Sequence, residues 1–182
     1  MKNVLYVTGN KNKARLFNTM SGLNIPHVSA DIQEIQELDL EKVVEHKVKA
    51  AYAQLKKPVI VEDTKLEFEA LGALPGPFIK WFLEELGVGG TAKILDGYSN
   101  RRAIAGAAIA YYDGVRLKIV VKELRGTIAK TPRGESGFGW NRIFIPQGSD
   151  KTLGELSDDE FKEYYMQIKP FKELADFIKD NA

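Results

Sequence analysis

Cysteine is absent from the 182 residues. That excludes a disulfide framework, a thiolate metal site, a thiol nucleophile and dithiol redox chemistry. Histidine is scarce: His27 and His46 are the only two, too few for a His-rich zinc site. Neither sign of charge dominates. Lys and Arg number 26 against 25 Asp and Glu, a formal charge of +1. A general polyanion footprint is therefore not indicated and no nucleic-acid partner is expected, although a small basic pocket is compatible with the total. The longest mostly apolar runs, 104–112 and 117–121, fall short of the roughly 20 residues that span a membrane. The opening, 1–13, has no apolar stretch behind a basic end and reads as a first strand, not a signal peptide. A soluble, cytoplasmic protein is expected.

What is present suits a folded chain. Apolar residues make up 44% and charged residues 28%, enough for a core and too apolar for disorder. The length is a little above one domain of roughly 150 residues. With no repeat, low-complexity stretch or linker, 1–182 reads as a single domain, with room for two lobes.

Periodicity supplies the elements. The apolar run 4–7 ends at Thr8-Gly9-Asn10, a strand and a sharp turn. Leu16, Phe17 and Met20 share one side of a helix that Ser21-Gly22 stops. A second short strand is expected over 27–30. In 39–55, Leu40, Val43, Val44, Val48, Ala51 and Leu55 have helical spacing. Val59-Ile60-Val61 is apolar on both faces and reads as a central strand. The stretch 62–76 carries turn residues with alternation at Leu66, Phe68 and Ala70. A helix over 78–86 follows Pro77, and a second, short one covers 91–95. Asp113-Gly114 joins two β-rich arms, 101–112 and 115–125, as a hairpin, with 127–129 prolonging the second. A glycine-bearing loop, 132–138, and a short strand, 142–145, come next. Ser157 and Glu160 form a capping box for a helix, and 171–178 is the last helix. Alternating strands and helices indicate an α/β fold.

Chemistry can sit in four places. At Thr8-Gly9-Asn10-Lys11-Asn12-Lys13, helix-starting amides and Lys13 suit an anion; a plain turn with a solvated Lys pair is the alternative. It matches neither GxxxxGK[ST] nor GxGxxG. Glu62-Asp63-Thr64 follows a central strand, where α/β proteins place their sites. Its carboxylates suit magnesium or a base, with Glu34 and Glu37 as further acids; a capped turn is the alternative. Phe138-Gly139-Trp140-Asn141 is either a base-stacking platform or a hydrophobic plug. Lys80 lies among Phe78, Trp81 and Phe82, on an amphipathic helix or beside a ligand. His27, His46, Arg101 and Arg102 read as surface residues.

Taken together, these pieces resemble the inosine triphosphate pyrophosphatase family, also called the Ham1 family, from the first strand to about Gly154. The family's Ser/Thr-x-Asn-x-x-Lys is present as Thr8, Asn10 and Lys13. Its Glu-x-Gln is Glu34-Ile35-Gln36, and a helical Lys falls at or near Lys47. The acidic motif is Glu62-Asp63-Thr64-Lys65-Leu66. The Leu-Pro-Gly segment is Leu74-Pro75-Gly76-Pro77, followed by Ile79-Lys80-Trp81-Phe82. The Phe-Gly-Trp/Tyr-Asp motif is Phe138-Gly139-Trp140-Asn141.

The resemblance implies an elongated α/β unit with a long central mixed sheet, helices around it, two lobes and a cleft between them. It implies a homodimer that hydrolyses nucleoside triphosphates to monophosphate and pyrophosphate and clears inosine and xanthosine nucleotides. Thr8, Gly9, Asn10, Lys13, Lys47, Thr64 and Lys80 would bind substrate, with Phe138, Gly139, Trp140 and Asn141 at the base. Glu34, Glu62 and Asp63 would bind magnesium, or manganese in its place. Asp63 would activate water, with Lys13 and Glu62 as catalytic partners. The family's Glu-Lys-Asn-x-x-Ser-His-Arg is not kept. Phe161 stands at the Lys, and Tyr165, Met166 and Gln167 at Ser-His-Arg, while a shifted register offers Lys162 and Lys169. Asn141 replaces an Asp, and Lys65 a common Gly. A weak or inactive nucleotide-binding homologue, or one with changed base preference, is the alternative reading.

Overall fold

The computed structural model describes residues 4–181. Met1 to Asn3 of the expected opening, and Ala182 at the end of the expected domain, lie outside the described residues. The elements run β1 (Leu5–Val7), α1 (Lys11–Ser21), β2 (His27–Val28), α2 (Leu40–Leu55), β3 (Val59–Phe68), a 3-10 turn (Glu69–Leu71), β4 (Pro75–Gly76) and α3 (Ile79–Lys93). They continue with β5 (Arg102–Tyr112), β6 (Leu117–Ile128), β7 (Phe144–Pro146), α4 (Asp158–Ile168) and α5 (Phe171–Asn181). Among the described residues the seven strands form one mixed sheet of order β2-β1-β3-β5-β6-β7, with β4 antiparallel to β3. β1 is parallel to both β2 and β3. The α/β architecture expected from the alternation is therefore present.

Local chemistry starts and stops the helices near the site. Asn10 caps α1, accepting from the amides of Asn12 and Lys13. Gly22, at φ 69°, ends it in the left-handed region that costs a glycine nothing. Asp39 caps α2 in the same way, through Glu41 and Lys42.

Three expectations differ from the structure. The strand expected over 59–61 continues to Phe68. Its charged residues are tolerated because Lys65 Nζ lies 2.7 Å from Glu67 and 2.6 Å from Glu123 on β6. The two helices expected after Pro77 are both present, parted at Gly87 by a φ of 68° that a helix cannot use, but the second ends at Lys93, where it was expected to span 91–95. Arg101 does not face solvent. Its guanidinium donates to the carbonyls of Ala92, Ile128 and Ala129 at 2.8, 2.9 and 3.0 Å, and so joins the end of α3 to the end of β6.

The chain divides into two compact units. Unit 1 comprises 1–63, 107–122 and 169–182, and unit 2 comprises 64–106 and 123–168. β3, β5 and β6 each belong partly to both. In unit 1, Val7, Val59, Val61, Ala108 and Ala110 pack against Leu40, Val44, Val48 and Ala51 of α2. Through Tyr6, β1 packs on Phe17 of α1, and Phe17 meets Phe171 of α5. The buried core of unit 2 includes Leu66, Phe68, Ile79, Ile143, Phe144 and Leu153.

Candidate functional site

Successive side chains of a strand face opposite sides of its sheet, so β3 presents Glu62 and Asp63 in opposite directions. Asp63 shares the side of Val59 and Val61, which pack on α2. It meets Lys47 of that helix, whose Nζ lies 3.3 Å from its Oδ2. The same ammonium is 2.6 Å from Oε1 of Glu34. Lys47 therefore joins a strand carboxylate to a loop carboxylate. Burial alone would lower its pKa, but Asp63 and Glu34 outweigh that and hold it above the ordinary value.

Glu62 lies on the other side, with no exposed side-chain surface. Tyr6 pairs in register with Ile60, and its hydroxyl donates to Glu62 Oε2 at 2.5 Å. Lys169 Nζ donates to Oε1. Lys13, on the first turn of α1, places its Nζ 3.9 Å from the same Oε1 and keeps 17% of its side chain exposed. Burial pushes the Glu62 pKa up, yet Lys169 and Lys13, with the hydrogen bonds from Lys169 and Tyr6, bring it below the usual carboxylate value. Lys13 is lowered by burial, against the pull of Glu62 and Asp63 and with a further push from Lys169 and Lys47. Both sides of β3 thus share one electrostatic neighbourhood of three ammoniums and three carboxylates, all in unit 1.

The turn before α1 is closed by its own side chains. Thr8 Oγ1 accepts from the Asn10 amide at 3.0 Å, and Asn10 Oδ1 accepts from Asn12 and Lys13 amides at 2.9 and 3.3 Å. The two side chains therefore satisfy the helix start themselves, as N-cap residues do. Gly9 and Asn10 are exposed. Glu34, Glu62 and Asp63 do not converge as a triad. Among the described residues no group of three or more His, Cys, Asp or Glu could hold a metal ion.

The remaining sequence candidates lie in unit 2. Thr64 is half-buried on β3. Lys80 is 70% exposed, 3.8 Å from Glu84 and 5.0 Å from the Trp81 ring centre. Trp140 is only 7% exposed and packs edge-on against Phe144 at 5.6 Å. Phe138 is half-buried and Gly139 exposed. Asn141 is buried, and its Nδ2 has no hydrogen-bond partner. Phe161, at the expected Lys, stacks on Tyr165 at 4.8 Å.

Comparison with known proteins decides the lineage. A profile of the Ham1 family matches residues 4–177. The chain belongs to the Ham1 family. Its Ham1 relatives include the inosine triphosphate pyrophosphatase of Yarrowia lipolytica, 38% identical over 184 residues, covering 98% of this chain and 97% of that one. They also include the dITP/XTP pyrophosphatase of Methanopyrus kandleri, 36% identical over 183 residues, covering 98% and 97%. Among solved structures, a HAM1 protein from Coxiella burnetii has a TM-score of 0.85 at 21% identity and covers 99% of this chain and 100% of that chain. This last likeness speaks for the Ham1 fold alone.

Two site residues escaped the motif reading. Tyr6 sits in an apolar strand, and the signal was its hydroxyl: a fully buried phenol needs a partner. Lys169 was legible only as a lysine in a shifted register. Its signal is burial at the α4–α5 junction, which a lysine does not accept unpaired.

Proposed function

We propose that the chain hydrolyses nucleoside triphosphates to nucleoside monophosphate and pyrophosphate, with inosine and xanthosine nucleotides as its substrate class and nucleotide-pool sanitation as its role. The observation that carries this reading is the unit 1 site. Lys13, Lys47 and Lys169 stand there against Glu34, Glu62 and Asp63. The activities for which the Yarrowia and Methanopyrus relatives are named support it.

Phosphoanhydride hydrolysis needs charge neutralised at the phosphate oxygens and an oriented water. In this reading Lys13 and Lys47 neutralise triphosphate oxygens. Thr8, Gly9 and Asn10 shape the turn that receives them, and Thr64 and Lys80 are further substrate contacts. Asp63 takes the proton of the attacking water. A new bond forms from the water oxygen to the α-phosphorus, and the bond from that phosphorus to the α–β bridging oxygen breaks. Its electron pair leaves with pyrophosphate. Phe138, Gly139 and Asn141 are the base contacts in unit 2.

The donor set fits magnesium at Glu34 and Asp63. These carboxylates already share one cation, the Lys47 ammonium, and magnesium is usually held by one or two carboxylates together with substrate phosphates. Glu62 has both oxygens engaged by protein donors and is assigned the lysines instead. Bound there, magnesium or manganese would supply phosphate charge screening.

Pyrophosphate release is measured across ITP, dITP, XTP, ATP, GTP, CTP and UTP, with and without magnesium. Release from the inosine and xanthosine nucleotides, abolished by chelation, is expected. No release from any of them by folded protein overturns the hydrolysis, and full turnover after chelation overturns the metal. The reading includes a cytoplasmic homodimer, which sedimentation of the purified chain and fractionation of its source cells test.

A further inference from the structure

The donor arrangement around Glu62 leaves one ammonium outside hydrogen-bond distance. Oε2 is taken by the Tyr6 hydroxyl and Oε1 by Lys169. Lys13 Nζ, at 3.9 Å from Oε1, is attracted but not bonded. A buried carboxylate needs donors at both oxygens. If Tyr6 supplied none, the carboxylate would draw on a nearby ammonium, and Lys13 Nζ is already 3.9 Å from its Oε1. The tyrosine is a neutral donor, so it satisfies the oxygen without using a positive charge.

We propose that Tyr6 is a positioning residue: its hydroxyl fixes Glu62 so that Lys13 keeps its donors for a polyphosphate. The inference rests on the phosphate-binding role given to Lys13 above and deepens it. The hydroxyl is itself held in place. Its ring stacks on Phe17 at 5.2 Å and 21°, and Phe17 meets Phe171 edge-on at 5.3 Å. The residue is fully buried. The contact joins chain positions 56 residues apart, and a phenylalanine would keep every part of that packing except the donor.

The test is a cycle of Tyr6→Phe, Lys13→Met and the double variant, with thermal unfolding as the folding control. Binding of inorganic tripolyphosphate is measured by calorimetry, and KM and kcat by pyrophosphate release. Tyr6→Phe should weaken tripolyphosphate about tenfold, the scale of one hydrogen bond to a charged group. It should raise KM by a similar factor and lower kcat less. In the Lys13→Met background the same change should add nothing, because the ammonium it protects is gone. A merely structural role would lower the unfolding temperature and leave KM alone. Parent affinity in Tyr6→Phe overturns the proposal, and so does an equal loss in both backgrounds. Should Tyr6→Phe not fold, NMR of the parent replaces it. The Tyr6 hydroxyl proton should stay protected from exchange when tripolyphosphate is added while the Lys13 ammonium signal moves, and loss of that protection overturns the proposal. Absence of tripolyphosphate binding by the parent overturns it too. A parent that binds tripolyphosphate but cleaves no nucleotide defeats the hydrolysis reading alone.

Discussion

At the scale of single residues, Asp63 and Lys13 separate chemistry from binding. Asp63→Asn keeps the shape and one acceptor but cannot take a proton at neutral pH. General base catalysis contributes about 100- to 10,000-fold. Turnover of the best nucleotide should therefore fall at least about 100-fold, with KM changed little. Circular dichroism checks the fold, and unchanged kcat would remove Asp63 as base. Lys13→Ala should act on binding. Lys169 still pairs Glu62 when Lys13 is gone, so no buried charge is stranded and stability should move by less than about 1 kcal/mol. Weakened triphosphate affinity alongside a nearly constant unfolding temperature is the expected pattern. Equal affinity in parent and variant would sink the role of Lys13. Both residues were legible in the sequence because their types and order suffice to name them. The partition of Glu62 and Asp63 between two sides of β3 was not, since it required knowing that the strand runs on through them. Tyr6 and Lys169 reach Glu62 from 56 and 107 residues away, a distance no local pattern encodes.

Among the elements, α4 carries a pH dependence with a definite sign. The Glu160 carboxylate accepts from the Ser157 amide at 2.9 Å and the Ser157 hydroxyl at 2.7 Å, and Lys151 Nζ lies at 3.3 Å. The Ser157 amide first, then its hydroxyl and Lys151, lower the Glu160 pKa from 4.5 to about 2. A carboxyl lowered on folding stabilises the helix start fully above its unfolded value, and that contribution is lost as pH falls through the folded one. The window is therefore from 4.5 down to about 2. Carboxyl NMR should report a midpoint for Glu160 near the lower end. Ser157→Ala, which removes the hydroxyl, should move it upward; an ordinary midpoint in the parent would refute the capping box. This box was readable from Ser157 and Glu160 alone, because capping is a short-range code. The length of β3 was not. Glu62, Lys65 and Glu67 look like loop residues until Glu123 is brought alongside Lys65 by a strand more than fifty positions away.

For the whole molecule the question is which base is accepted. A purine 6-oxo group accepts hydrogen bonds, so a site selective for it must present fixed donors. A well-built site of that kind rejects an analogue lacking the bond by about 10,000-fold or more. The His-Arg pair of the resemblance is replaced here by Met166, a poor hydrogen-bonding partner, and by Gln167, whose amide offers donor or acceptor by turning over. Gln167 is also exposed. Three cations that could stand in already hold other partners. Arg142 Nε donates to the Gly134 carbonyl at 2.8 Å, Arg133 donates to the Asp150 carbonyl at 2.7 Å, and Lys169 holds Glu62. Stacking by Phe138 would tolerate any base. Among the described residues two buried donors lack a hydrogen-bond partner, Nε of Arg133, which lies 3.2 Å from Glu155 Oε2, and Nδ2 of Asn141. The expected outcome is weak discrimination, with kcat/KM for ITP exceeding that for ATP and GTP by well under about 1000-fold at one magnesium concentration. A ratio above that against both would overturn the expectation. Its ITP-to-ATP part would point to Asn141 as a replacement donor to the 6-oxo group, which GTP shares with ITP; Asn141→Ala should then lower that ratio and leave turnover of ATP nearly as it was. If Asn141→Ala left a high ratio intact, backbone amides would be the donors still to be examined.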